Sequence, residues 1–277
     1  LQRVGRLDLG GRACFWRALS TTASFSGMLV ATGNLLVSTV VSLVVSLVVM
    51  VGVYLPPSRG LFPLRPTWDP RRVGQVLLAC LPLFLASFIS MYLSNAPRFA
   101  IDRYLDPTQQ GYFAILFMPA VTINLMSLVI FRPLLTRMAG LWVQGDRPGF
   151  RAVVNRGLLA TAGAFVVVGL VTYVAGVPIL GLVFGKDVSA FSVELMVLVA
   201  GGAMNAASVV LYYALTTVRL QNLVFAGYVL AAGAITLLCV VLVPQGSLLG
   251  ASVAYTAAMS VLVAVFAVVL YRAVTRR

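Results

Sequence analysis

Six apolar runs, each long enough to cross a bilayer as a helix, constrain this chain more than any other feature. They are Gln75–Ser94, Gly111–Phe131, Gly157–Val177, Phe191–Leu215, Leu223–Val243 and Leu248–Leu270. A crossing helix needs about 20 predominantly apolar residues at a rise of about 1.5 Å each. The only charge inside these runs is Glu194, close to the start of its run. A large soluble protein can hide one or two such helices, but not six with so little amphipathic relief. With 61% hydrophobic and 10% charged residues, a soluble fold would lack the polar surface to cover itself. The expectation is an all-α, polytopic transmembrane helix bundle.

The charges lie between the runs. The formal net charge is +13, but the arginines sit in connections and tails instead of forming one face. Anionic lipid headgroups, not nucleic acid, are therefore the expected counter-charge. Segment 56–74 carries Arg59, Arg65, Arg71 and Arg72 against Asp69, and segment 132–156 carries Arg132, Arg137, Arg147, Arg151 and Arg156 against Asp146. Arg219 stands alone in its connection, and Arg272, Arg276 and Arg277 mark the tail. The alternate connections are balanced: Arg98 and Arg103 face Asp102 and Asp106, and Lys186 faces Asp187. The positive-inside rule then puts the basic connections and the C-terminus in the cytoplasm.

The N-terminal part has two solutions. As one helix, Ala18–Leu55 would be about 57 Å long against roughly 30 Å of hydrocarbon. It would also carry its basic flanks, Arg3, Arg6, Arg12 and Arg17 before it and the 56–74 arginines after it, to opposite sides. Two helices turning near Gly33-Asn34 meet both objections, for eight helices in all; seven is the alternative. The organisation expected is a basic segment and hairpin over 1–55, a cytoplasmic linker over 56–74 and six helices over 75–277.

No Walker sequence, dinucleotide fingerprint or metal-ligand spacing is present. Histidine is absent, and Cys14, Cys80 and Cys239 are far apart in sequence and read as small hydrophobes. No cofactor, metal or catalytic domain is expected. Arg147, Arg151 and Arg156 opposite Phe150, Val153 and Val154 suggest an amphipathic surface helix. Gly181 and Gly185, near Pro178, read as turn residues. The small side chains of 200–208 suit close helix packing, with Asn205 and Ser208 available for interhelical bonds. Tyr54, Trp68, Tyr92, Tyr104, Tyr112 and Trp142 fit an interfacial aromatic belt.

Polar residues within spans usually face a bundle interior or a wet cavity. Ser87, Ser90, Ser94 and Asn95 form a stripe leading to Arg98 and Asp102, while Asn124 and Asn205 lie deep in later spans. Arg98 and Asp102 are four apart and can pair on a continuing helix. That pair reads either as a structural ion pair or as a guanidinium held ready for an anionic headgroup. Asn124 and Asn205 read equally as structural bonds or as sugar-hydroxyl contacts.

Three groups of residues carry a family resemblance. Pro82-Leu83-Phe84-Leu85, Asn95-Ala96-Pro97-Arg98-Phe99-Ala100-Ile101-Asp102-Arg103-Tyr104-Leu105 and Gly111-Tyr112-Phe113 resemble the junction of the seventh and eighth helices of polysaccharide flippases. These form the O-antigen and capsule branch of the multidrug/oligosaccharidyl-lipid/polysaccharide exporter superfamily. Pro178-Ile179-Leu180 with Phe184-Gly185 resembles the ninth-helix exit, and Leu249-Gly250-Ala251-Ser252 with Tyr255 the last hairpin. The resemblance implies that 75–277 is a C-terminal six-helix lobe and 1–55 the fifth and sixth helices. The first four helices are missing, so the chain is a piece, the gene is truncated, or a partner supplies the other lobe.

The resemblance implies flipping of a polyprenyl-diphosphate-linked oligosaccharide for cell-surface polysaccharide assembly in a bacterial cytoplasmic membrane. Membrane lipids, the anionic glycan lipid and glycan polymerase or export machinery would be the partners. Arg98 aligns with a family arginine near the cavity mouth and Asp102 with the aspartate that often follows; Asn95, Ser90, Asn124 and Asn205 complete the candidate substrate contacts. The competing readings are a lipid II or multidrug exporter of the same superfamily, and a membrane-embedded glycan polymerase or ligase. The polymerase or ligase would need a large charged outward loop, and the sequence has none.

Overall fold

A computed structural model describes residues 7–54 and 70–275. The terminal arginines Arg3, Arg6, Arg276 and Arg277, and Arg59, Arg65, Trp68 and Asp69 of the 56–74 segment, lie outside the described residues. Every described element is helical, the form that satisfies its own backbone groups where no water can. The chain divides into two compact units, 1–70 and 71–277.

In the first unit, α1 (Leu7–Thr32) and α2 (Leu35–Val49) pack on each other, and α2 ends in a π-turn over Met50–Tyr54. The break falls at the expected Gly33-Asn34. Gly33 sits at φ +62, open to glycine without strain. Asn34 caps α2, its side-chain oxygen accepting the Leu36 N–H at 3.0 Å. Among the described residues of this unit, only α2, over Leu35–Gly52, is long and apolar enough to cross a membrane. α1 begins well before Ala18 and takes Asp8, Arg12 and Arg17 into its first half.

The second unit holds α3 (Pro70–Tyr104), α4 (Pro107–Leu116), α5 (Met118–Gln144), α6 (Arg147–Phe184) and α7 (Ser192–Thr217). A last helical stretch bends at Ser247 into α8 (Gln221–Gln245) and α9 (Ser247–Thr275). α4 and α5 make one crossing, interrupted at Phe117 because Pro119 cannot donate its backbone bond. With α2, this gives seven helices of crossing length among the described residues. The protein is a polytopic, membrane-spanning helix bundle.

Successive crossings of the second unit run antiparallel, and helix contacts fix the register. Trp142 meets Phe150 at 5.0 Å between ring centroids, near the α5–α6 turn. Further along, a Cβ on Gly157 would lie 2.7 Å from Phe131. Gly250 backs onto the Leu242 carbonyl, and Tyr228 meets Phe266 at 5.4 Å, which folds α9 back along α8. α7 lies at the centre. A Cβ on Gly201 would come within 2.6–2.9 Å of Thr256 and Tyr255, and one on Gly202 would meet the Ala120 backbone at 2.6 Å. The small stripe over 200–208 is thus a close-packing surface, as its composition suggested. Its bonding differs from the expectation. The interhelical bond comes from Thr256 Oγ1 to the Val197 carbonyl at 2.8 Å, while Ser208 Oγ donates back to Asn205 O within its own helix.

Three expectations about connections need correction. Segment 132–156 is a helical connection and not a loop, because α5 continues to Gln144 and α6 starts at Arg147. The turn is Gly145 at φ +78, followed by Asp146, whose Oδ1 accepts the Gly149 N–H at 2.9 Å. Phe150, Val153 and Val154 are buried opposite exposed Arg151 and Arg156, as expected of an amphipathic face. However, that face is the start of a continuous 38-residue helix. Likewise Pro178 and Gly181 lie within α6, and only Gly185 is a turn residue, at φ +65.

Candidate functional site

The helix polarity sorts the charges of the second unit to two ends. One end has the start of α6, the end of α7 and the end of α9; Arg137, Arg147, Arg151, Arg156, Arg219 and Arg272 collect there with Asp146 as the acid. The other end has the α3–α4, α6–α7 and α8–α9 turns, where Arg98, Arg103 and Lys186 face Asp102, Asp106, Asp187 and Glu194. The candidate residues belong to this second, balanced end and to the spans beneath it.

Arg98 lies in the penultimate turns of α3, just after Pro97. It is half-buried, and its guanidinium carbon sits 5.6 Å from the Phe117 ring centroid at the α4–α5 break. Phe117 in turn meets Tyr255 edge-on at 5.1 Å. The Arg98 Nε is buried without a hydrogen-bond partner. Asp102 is exposed, and no ion pair joins the two, so the expected i, i+4 pairing does not form. An aromatic face, not a carboxylate, holds this cation, which leaves its planar N–H groups for an anion.

The remaining candidates are separated. Asn95 donates its amide to the Met91 carbonyl at 2.8 Å, and Ser94 Oγ bonds the Ser90 carbonyl at 3.3 Å. The Ser90 hydroxyl meets the Tyr228 hydroxyl of α8, and Tyr92 joins Thr236 at 2.8 Å. Tyr92 therefore ties α3 to α8. Asn124 lies on α5 with its Oδ1 buried and unpartnered. Asn205 is half-buried on α7, which runs parallel to α5 with Ala120 on Gly202 and Phe131 near Tyr213. That register brings Asn124 and Asn205 to neighbouring levels. Arg98, Asn95 and Asp102 therefore share one helix end, the two asparagines lie deeper, and Ser90 is engaged with α8.

Four polar groups stand outside the candidate contacts read from the sequence. Ser127 is three residues after Asn124 on the same face, and its Oγ is also buried and unpartnered; that spacing was the available signal. Gln109 Oε1 is orphaned near the α3–α4 turn. Lys186 lies over the Tyr112 ring at 5.2 Å, and Tyr112 meets Phe191 at 5.1 Å. Asp187 accepts the Ser189 N–H at 2.9 Å, and that bond holds its carboxyl below the usual value. The placements of Gln109, Lys186 and Asp187 were not legible without knowing which turns meet.

Nothing in this arrangement resembles a nucleophile with an adjacent base, and among the described residues no three metal-ligating side chains gather. What the described residues do show at this end is a cation resting on an aromatic ring, with a buried guanidinium nitrogen left without a partner. In comparisons with known proteins, no family model, no curated protein and no solved structure matches this chain.

Proposed function

We propose that the chain forms one helical lobe of a transporter that flips a polyprenyl-diphosphate-linked oligosaccharide for cell-surface polysaccharide assembly. The reading rests on the resemblance of 75–277 to polysaccharide flippases. One observation carries it furthest: half-buried Arg98, held by Phe117 with its Nε unpartnered. A buried donor without an acceptor costs about 1–3 kcal/mol, a cost that a transient anionic ligand would offset. Asn124 and Ser127 would meet sugar hydroxyls deeper in the spans, while the polyprenyl tail stays in lipid. No covalent bond is made or broken. Further spans, from the same polypeptide or a partner, close the cavity, and rocking of two lobes exposes it to each face in turn. The lobe works in a bacterial cytoplasmic membrane with its arginine-rich end and C-terminus in the cytoplasm, beside the glycan polymerase or export machinery it serves.

The test uses proteoliposomes holding the chain with whatever spans copurify, and a fluorescent lipid-diphosphate oligosaccharide. Arg98→Ala should slow translocation by roughly tenfold or more, the loss of one charge-assisted hydrogen bond. Arg98→Lys should recover only part, because a point charge cannot reproduce the planar fork. Equal rates for wild type and Arg98→Ala would remove the residue's role. Drug efflux with indifference to the lipid diphosphate would favour a multidrug exporter, and new glycosidic bonds would favour a polymerase.

A further inference from the structure

At the arginine-rich end of the second unit, α6, α7 and α9 leave a cavity of about 280 Å³ between them. Its floor is apolar, with Leu158, Leu211 and Leu270; its rim carries Arg151, Asn155 and Tyr271. Arg151 and Asn155 are four apart on the exposed face of α6, so their side chains stand over one turn. Arg151 Nη2 donates to Thr275 Oγ1 at 3.2 Å, which ties the guanidinium across to α9. Among the described residues no carboxylate pairs with it. One turn earlier, Arg147 rests on the Trp142 ring at 3.5 Å with its Nη1 buried and unpartnered. The site thus joins a greasy slot to a fixed cation, with a second under-satisfied cation next to it.

We propose that this cavity binds an anionic phospholipid, its phosphate on Arg151 and Asn155 and an acyl chain against Leu158, Leu211 and Leu270. Charge complementarity selects the occupant. Among the described side chains, six arginines gather at this end against Asp146, while the opposite end balances its cations with acids. A zwitterionic lipid would bring its own cation to Arg151, and a free phosphate would leave the apolar floor wet. The site is independent of Arg98 and of the translocation reading, since it lies at the other end of the bundle.

Trp142 supplies the reporter, because its ring lies 5.0 Å from Phe150, which lines the cavity. The full chain, with Trp16→Phe and Trp68→Phe, is placed in phosphatidylcholine vesicles. Chain-brominated phosphatidylglycerol or brominated phosphatidylcholine is then titrated as quencher. Brominated phosphatidylglycerol should quench at a mole fraction roughly five-fold lower, the preference expected from one arginine near a membrane surface. Arg151→Gln should bring the two curves together. Ala267→Phe, which fills the cavity from an exposed position, should do the same with unchanged thermal unfolding. Arg219→Gln, at the same end but lining a different cavity, should leave the gap. Coincident curves in the parent protein would overturn the proposal. So would a gap surviving both Arg151→Gln and Ala267→Phe, a gap closed equally by Arg219→Gln, or a gap erased by millimolar inorganic phosphate.

Discussion

At the residue scale, packing is legible where side chains are small and obscure where they are polar. The stripe over 200–208 declares a close approach, because nothing else explains so many small groups in one span. The structure adds which neighbour fills each gap: Thr256 and Tyr255 against Gly201, and the Ala120 backbone against Gly202. A backbone neighbour cannot swing aside. Gly202→Ala is therefore expected to lower thermal stability in detergent by about 1–3 kcal/mol. Gly163→Ala, which faces open space in α6, should not lower it and should raise it by up to about 1 kcal/mol through helix propensity. Equal effects of the two would refute the α5–α7 contact. Arg98 was visible as a cation just beyond an apolar run, but its surroundings were not. Spacing favoured Asp102, four residues on in the same helix, whereas the guanidinium lies over Phe117 from the break between α4 and α5. A sequence shows neighbours along a helix, not the ring that a kink elsewhere brings beneath a side chain.

At the scale of elements, hydropathy located the crossings but not the helix ends. Hydrophobic runs mark where the chain meets lipid, and a helix can continue past that boundary while capping is favourable. This is why α5 and α6 absorbed most of the supposed 132–156 connection, leaving only Gly145 and Asp146 to turn the chain. It is also why α1 extends through charged residues and does not count as an eighth apolar span. The Gly33-Asn34 break was legible because the two residues have distinct jobs, a positive φ and a cap. The α8–α9 bend was harder, since it rests on Ser247 at φ 54 and ψ −133, a region that favours glycine. Ser247→Gly should therefore relieve strain and raise stability by roughly 1 kcal/mol, whereas Ser247→Val should lower it by at least as much. A chemical denaturation series in one detergent reads both. If valine were tolerated as well as glycine, the bend would not be placed at this residue.

At the scale of the whole molecule, hydrocarbon surrounds seven crossing helices among the described residues, and the second unit carries its net positive charge at one end while the cations at the other are balanced by acids. The alternation of basic and balanced connections was legible from the sequence, because arginine is costly to carry across a bilayer. Which polar residues share a level inside the bundle was not legible, because register between helices is set by packing. The most direct test labels one cysteine at each end in a cysteine-free background of the full chain. A membrane-impermeant maleimide is applied to intact cells carrying either Gly145→Cys or Lys186→Cys. The account predicts labelling at position 186 from outside, and at position 145 only after the membrane is opened. Labelling of both positions in intact cells, or of position 145 alone, would contradict it.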